Sequence, residues 1–286
     1  MNTGFVEVEY TNEENKGEKI KVAITHDSRI NNTLFAMTTA DVFTANGIEV
    51  MYFREMRPTP MLSFAVRHFG CKSGVMITAS HNPKEYNGYK AYWEDGAQVV
   101  APHDENIIKE VQKITSFEQV NWNKQDELIH YIEEDFDAIY LDLVKELSLS
   151  KDAIQAQKSM PIVFSPIHGA SGKMVPAALK AFGFENIQVV KEQAEPDGNF
   201  PNHHPDPSVP ENLYDLILAL NATNAEIGLA FDGDGDRLGV VTRDGNIIYP
   251  DRQLMLFAAD VLSRNPGGQI IFDVKCTRKL APWIES

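Results

Sequence analysis

The 286 residues suffice for one large domain or two ordinary ones, each with a sizeable core. Against 26 Lys and Arg stand 41 Asp and Glu, a net charge of −15, which argues against non-specific nucleic-acid binding and against anionic membrane surfaces. Two cysteines, Cys71 and Cys276, cannot build a disulfide framework, the polar start 1–16 lacks signal-peptide character, and no apolar run nears the ~20 residues of a spanning helix, so the expected compartment is cytoplasmic.

Short β-branched runs alternate with longer amphipathic ones. Residues 19–25 (KIKVAIT) read as a strand and Asn32–Ala45 as a helix, and 48–53 is a second strand entered through Asn46-Gly47. Residues 60–69 form a short helix with Pro60 at its start, and 74–78 (GVMIT) a third strand that runs into a loop at Ser80. Tyr89–Trp93 reads as another strand, closed by the turn pair Asp95-Gly96, and 104–115 as a helix. A strand-poor stretch, 116–127, leads to a helix over 138–147, and 151–160 is the best domain boundary. Beyond it the alternation restarts with strand 162–165, helix 173–182, strand 187–190, a loop over 195–210, helix 211–220 and strand Ile227–Phe231. Strand 240–242, turn Asp244-Gly245, helix 251–263 and strand 270–274 follow, and 277–286 opens a further helix. Strands alternating with helices predict α/β layers with largely parallel sheets. The last strand and helix read as the start of a third unit, and the chain as a fragment.

Two constellations carry chemistry. The first is Thr78-Ala79-Ser80-His81-Asn82-Pro83, with Asn87-Gly88-Tyr89-Lys90 just beyond it. A small-residue turn at the end of a strand is where α/β proteins place ligand sites. Serine needs a base, a cation or a metal to act as a nucleophile. His81 and Lys90 are placed to bring positive charge to a phosphoryl group, and Asn87-Gly88 to turn Lys90 back beside Ser80. On pattern alone the same residues read first as an ordinary polar turn. No Gly-x-Ser-x-Gly elbow surrounds Ser80, which speaks against a hydrolase-type nucleophile.

The second constellation, Asp232-Gly233-Asp234-Gly235-Asp236-Arg237, is more specific. Three carboxylates alternate with glycines that let the backbone turn tightly, and their mutual repulsion calls for a divalent cation. Hard oxygen ligands favour Mg²⁺, Mn²⁺ or Ca²⁺ over zinc. An EF-hand is excluded, because its sixth and twelfth positions would fall on Arg237 and Arg243. Arg237 is well placed to hold a phosphate on the same metal. Arg29, in Asp27-Ser28-Arg29, either reaches the same crevice or follows a helix N-cap. Arg57-Pro58-Thr59-Pro60 reads as a structural turn. The histidines in 195–205 belong to a proline-fixed loop rather than a metal site. Lys275 is a candidate substrate cation, and the two cysteines read as inert.

At these residues a family resemblance emerges. The serine segment (TASHNP with NGYK) resembles the phosphoserine loop of the α-D-phosphohexomutases, and DGDGDR resembles their metal loop. Asp27-Ser28-Arg29, Arg57-Pro58-Thr59-Pro60, Asp251-Arg252 and 273–278 (DVKCTR) are also similar to family segments, and the similarity runs from about Lys19 onward. The resemblance implies two consecutive phosphohexomutase-type α/β domains with mixed, largely parallel sheets, at 1–150 and 151–262, and the start of a third at 263–286. It implies Ser80 as phosphoserine and Mg²⁺ held by Ser80, Asp232, Asp234 and Asp236. His81, Lys90 and Arg237 would act on the transferring phosphate, with Arg29 and Lys275 binding phosphate or substrate.

The implied reaction interconverts hexose 1-phosphate and hexose 6-phosphate, of glucose or mannose, through a hexose 1,6-bisphosphate. Glucose 1,6-bisphosphate is the implied activator and a hexose phosphate the partner, with neither nucleic acid nor membrane. The family's GTxGxRG opening, GExSGH loop and RxSGTEP loop are not found in this sequence. A catalytically incomplete Mg²⁺-binding fragment and a sugar-phosphate phosphatase are therefore the alternatives. Residues up to about Gly198 resemble a broad phosphoglucomutase branch, and later ones the bacterial phosphomannomutase/phosphoglucomutase branch. A recombined, designed or misassembled sequence would account for the change, and a mispacked junction near 190–200 would then be its weak point.

Overall fold

The computed structural model describes residues 19–201 and 203–285; the polar start 1–16 lies outside them. Strand β1 (Lys21–His26) is the centre of the first sheet and is almost wholly buried. A strand covered by helices on both faces is apolar at consecutive positions, and its alternate side chains enter different cores. Val22 and Ile24 meet Ala36, Ala40 and Phe43 of helix α1 (Asn32–Ala45) on one face. Ala23 meets Met61, Leu62, Ala65 and Val66 of α2 (Thr59–His68) on the other. Each large side chain buried in this way contributes about 1.5–3 kcal/mol.

Strands β2 (Glu49–Phe53), β3 (Ser73–Ile77), β4 (Tyr89–Trp93) and β5 (Ile129–Ile132) complete that sheet in the order β4-β3-β1-β2-β5. All pairings are parallel except β3 with β4. Helices α3 (His103–Val111), α4 (Asp135–Glu146) and α5 (Lys151–Ala156) lead to the second sheet. Its strands are β6 (Ile162–Ser165), β7 (Ile187–Val189), β8 (Ile227–Phe231), β9 (Leu238–Thr242) and β10 (Ile247–Ile248). They lie in the order β10-β9-β8-β6-β7, parallel from β7 through β8 and antiparallel beyond. Helix α6 (Met174–Phe182) follows β6, and α7 (Tyr214–Thr223) covers one face through Leu216 and Leu220. These are the expected mixed, largely parallel α/β sheets.

The two units share a core. Met174 at the start of α6 packs with Phe53, Ile132 and Phe136 of the first unit, and the Phe136 ring stacks on Phe64 and Phe69. In the stretch 190–200, Val190, Gln193 and Phe200 are buried, and Gln193 Oε1 accepts from the Ser165 hydroxyl at 2.6 Å while its Nε2 is buried without a partner.

Some elements depart from the sequence reading. The helix expected over 104–115 stops at Val111, because the Thr115 and Ser116 amides donate to the Gln119 side chain and Ser116 caps a 3₁₀ turn. The helix expected over 138–147 starts earlier, at Asp135, bringing Phe136 into the core. Residues 270–274 are not a strand. No described strand offers them a ladder, Ile271 and Val274 are over 90% exposed, and the chain turns at Asp273, whose side chain accepts the Lys275 amide. A strand without a neighbour leaves its backbone groups unpaired and does not persist. Helices α8 (Pro250–Arg264) and α9 (Leu280–Ile284) flank this segment. Both cysteines are free thiols, and burial pushes that of Cys71 up to about 12. Among the described residues no helix is long and apolar enough to cross a membrane.

Candidate active site

Strand β3 ends at Ile77 and hands the chain to the serine loop at the edge of the first sheet. Ser80 is 5% exposed and adopts a left-handed backbone conformation, φ 52°. For a non-glycine residue that conformation needs support from its surroundings. The Ser80 amide donates to the Thr78 hydroxyl oxygen at 2.7 Å, and that hydroxyl donates to Asp27 Oδ2 at 2.5 Å. The Thr78 amide donates to the Gly88 carbonyl at 3.0 Å, and a Cβ on Gly88 would lie 2.5 Å from the Thr78 carbonyl oxygen. The glycine therefore permits the close return that carries Lys90 on β4 back beside the loop.

The acidic loop is the hairpin between β8 and β9, turned at Gly235 with φ 70°. Asp232 Oδ1 accepts the amides of Asp236 and Arg237 at 3.0 Å each, which leaves its other oxygen to face the serine loop. Across the junction the Ser80 hydroxyl donates to Asp232 Oδ2 at 2.7 Å. Lys90 Nζ donates to Asp234 Oδ2 at 2.6 Å and to Asp236 Oδ2 at 3.2 Å. Arg237 Nε lies 4.0 Å from both Asp232 and Asp236, and its side chain is 47% exposed, at the mouth of a cleft of about 400 Å³. Ser80, His81, Tyr86, Lys90 and Gln98 share that cleft with it.

Charge crowding dominates the electrostatics. Burial, then Asp234 and Asp236, push the Asp232 carboxyl up to about 8. Burial also raises Asp234, but Lys90 and Thr59 outweigh it and hold that carboxyl below the usual range. For Lys90, burial is overcome by Asp234 and Asp236, and the ammonium is pushed up to about 12. Burial, followed by Arg237, lowers His81, which works against the positive charge expected of it from the sequence.

The three aspartates fit a divalent cation. One carboxylate oxygen from each lies within 4.8 Å of the others, and Asp232 and Asp234 are fully buried. Asp234 Oδ1 is buried without a hydrogen-bond partner. Such an anionic, all-oxygen set with an unpartnered carboxylate oxygen suits Mg²⁺.

Ser80, His81, Lys90, Asp232, Asp234, Asp236 and Arg237 thus come together. Arg29 and Lys275 do not join them at the cleft. Arg29 is fully buried beneath the loop, where its two Nη atoms donate to the carbonyls of Ser80, Asn82, Pro83 and Tyr86 at 2.5–2.9 Å. With both Nη atoms held by backbone carbonyls and Nε turned to Asp27 at 3.4 Å, it braces the loop from beneath. Lys275 sits on the exposed segment after α8, its side chain 85% exposed and paired with Asp273 at 3.6 Å, not with a member of the site.

Sequence reasoning missed Asp27, which is 1% exposed. Burial pushes its carboxyl up to about 6 against the opposing pull of Thr78 and Arg29, and it anchors Arg29 and Asn32 as well as Thr78. It also missed Thr59, whose hydroxyl donates to Asp234 Oδ2 at 2.8 Å. Both carry polar side chains beside strand or helix ends, a pattern shared with ordinary caps.

Residues 1–118 match the family profile described as phosphoglucomutase/phosphomannomutase, alpha/beta/alpha domain I, and residues 138–245 match domain II. The chain is 45% identical over 265 residues to a phosphoglucomutase of Neisseria gonorrhoeae, covering 93% of this chain and 54% of that protein. It is 46% identical over 229 residues to a phosphomannomutase/phosphoglucomutase of Pseudomonas putida, covering 80% of this chain and 45% of that protein. A crystal structure of a phosphoglucomutase/phosphomannomutase family protein from Burkholderia thailandensis superposes with a TM-score of 0.80 at 38% identity, over 99% of this chain and 59% of that one. The chain spans about half the length of the two relatives.

Proposed function

The chain belongs to the phosphoglucomutase/phosphomannomutase family, and from that premise we propose that it forms the phosphate-carrying and metal-holding part of an α-D-phosphohexomutase. The reaction is intramolecular phosphoryl transfer between the 1- and 6-positions of a hexose phosphate, glucose or mannose, with glucose 1,6-bisphosphate as activator. In domain terms, 1–150 carries the serine loop, 151–262 the acidic loop, and 263–286 opens a third unit.

The observation that supports this reading is the 2.7 Å hydrogen bond from Ser80 to Asp232, which joins the serine loop to the acidic loop. In the forward half-reaction the bond from phosphorus to Ser80 Oγ breaks and a bond to a sugar hydroxyl oxygen forms. The hydroxyl proton ends on Ser80 Oγ. The second half reverses this with the other phosphate of the bisphosphate. Lys90 and Arg237 bring positive charge to the transferring group, where preorganised charge in a poorly hydrated site is most effective. Water has to be kept from the phosphoserine, whose hydrolysis would end the cycle. Mg²⁺, held by Asp232, Asp234, Asp236 and the Ser80 oxygen, would neutralise charge on the phosphoryl oxygens.

The test is the intact mass after incubation with glucose 1,6-bisphosphate and Mg²⁺. One added phosphoryl group, localised to Ser80 and absent from Ser80→Ala, is expected. A folded, Mg²⁺-bound protein that gains none overturns the reading, and steady release of inorganic phosphate would make the protein a phosphatase instead.

A further inference from the structure

Thr59 belongs to the first unit, yet its polar groups are directed at the second. It occupies the first position of α2, between Pro58 and Pro60, and is 7% exposed. A first-turn amide has no acceptor within its own helix. The Thr59 amide instead donates to the Asp234 carbonyl at 2.9 Å, and its hydroxyl donates to Asp234 Oδ2 at 2.8 Å. The Tyr92 phenol meets the same hydroxyl from the β4 side. Pro58 presses on the next residue of the acidic loop, where a Cβ on Gly235 would lie 2.9 Å from Pro58 Cβ. The turn before α2 is thus the surface on which the tip of the acidic loop is seated.

The consequence lies in how the two oxygens of Asp234 are used. Thr59 and Lys90 both take Oδ2, at 2.8 and 2.6 Å. Oδ1 is left buried and without a partner. We propose that Thr59 is a positioning residue for the metal site: it fixes the Asp234 carboxylate by one oxygen so that the other is presented to the divalent cation. The cation site is then completed only across the junction of the two units. This rests on reading the acidic loop as a Mg²⁺ site.

The test is binding of Mn²⁺, followed by electron paramagnetic resonance, to the wild type and to Thr59→Val, Thr59→Ala and Thr59→Ser. Valine keeps the shape and the backbone amide but removes the hydroxyl donor, and alanine does so with less bulk should valine not fold. Loss of an outer partner of a metal ligand commonly weakens metal binding by about 10- to 100-fold. That loss is expected for Thr59→Val and Thr59→Ala, with affinity restored in Thr59→Ser. Equal binding by the wild type and a folded hydroxyl-less variant overturns the proposal alone, as does a Thr59→Ser variant no better than Thr59→Val. A wild type that binds no Mn²⁺ saturably overturns the metal reading and this proposal with it.

Discussion

The Arg29 guanidinium lies over the Phe200 ring, 5.3 Å from its centroid, although the two residues belong to different units. The backbones bridge as well, Arg29 pairing with Gly198. A ring face stabilises a cation most where water is excluded. The same guanidinium holds four carbonyls of the serine loop, so the second unit braces the first through one side chain.

Replacing Arg29 by Met should cost about 3–5 kcal/mol, because it leaves Asp27 buried without its cation and four carbonyls without a donor. Arg29→Lys should fall in between, since one ammonium cannot reproduce the planar fork. Urea unfolding monitored by fluorescence measures both. A loss below about 1 kcal/mol for Arg29→Met would show that the network is dispensable.

Gly198 has no room for a side chain. Its Cβ would lie 2.5 Å from the Ile30 amide nitrogen and 2.6 Å from the Ser28 carbonyl oxygen, both backbone atoms that cannot turn aside. Gly198→Ala should destabilise by about 1–3 kcal/mol and speed proteolysis between the units. Cleavage at the wild-type rate would contradict this.

Two cations meet Asp137 and should differ sharply. Arg57 binds it through two 2.7 Å hydrogen bonds at 4% exposure, so Arg57→Ala leaves a mostly buried carboxylate to the longer Lys173 contact and should cost about 3 kcal/mol. Lys173, 44% exposed and 3.6 Å away, should cost under about 1 kcal/mol as Lys173→Ala, despite its further pairing with Glu55 and Glu134. Thermal unfolding of both variants decides it, and similar losses would refute the ranking.

Metal binding should be linked to protons. With the Asp232 carboxyl pushed up to about 8, the metal-free site holds a proton at pH 7 that the cation must displace. Mg²⁺ binding should release close to one proton at pH 7 and almost none above about pH 9, with affinity rising until about pH 8. Calorimetry in buffers of different ionisation heat reads this directly, and heats independent of buffer would rule it out.

The central strands were legible because burial on both faces leaves consecutive apolar residues, as in KVAITH of β1. Strand β5 was not, since it is a four-residue edge strand with His130 and Tyr131 exposed. Residues 270–274 looked like a strand because β-branched composition reports preference, whereas a ladder needs a neighbour. The three aspartates stood out because residue type and spacing carry their chemistry, whereas Ser80, an ordinary polar turn on pattern alone, was marked by the family resemblance. Arg29 was misplaced because a cation after a strand faces the cleft or the underside of the loop at the same spacing. Thr59 was missed because its partner lies 175 residues away and two prolines disguise it as a turn.

The bond between Ser80 and Asp232 spans 152 residues of sequence, which has a bearing on biosynthesis. At translation rates of about 5–20 residues per second, Ser80 is made roughly 8–30 s before the carboxylate it pairs with. During that interval the nascent first unit holds a serine with none of its acidic partners. On the proposed function, phosphoryl chemistry at Ser80 would be withheld until the second sheet has been synthesised and docked.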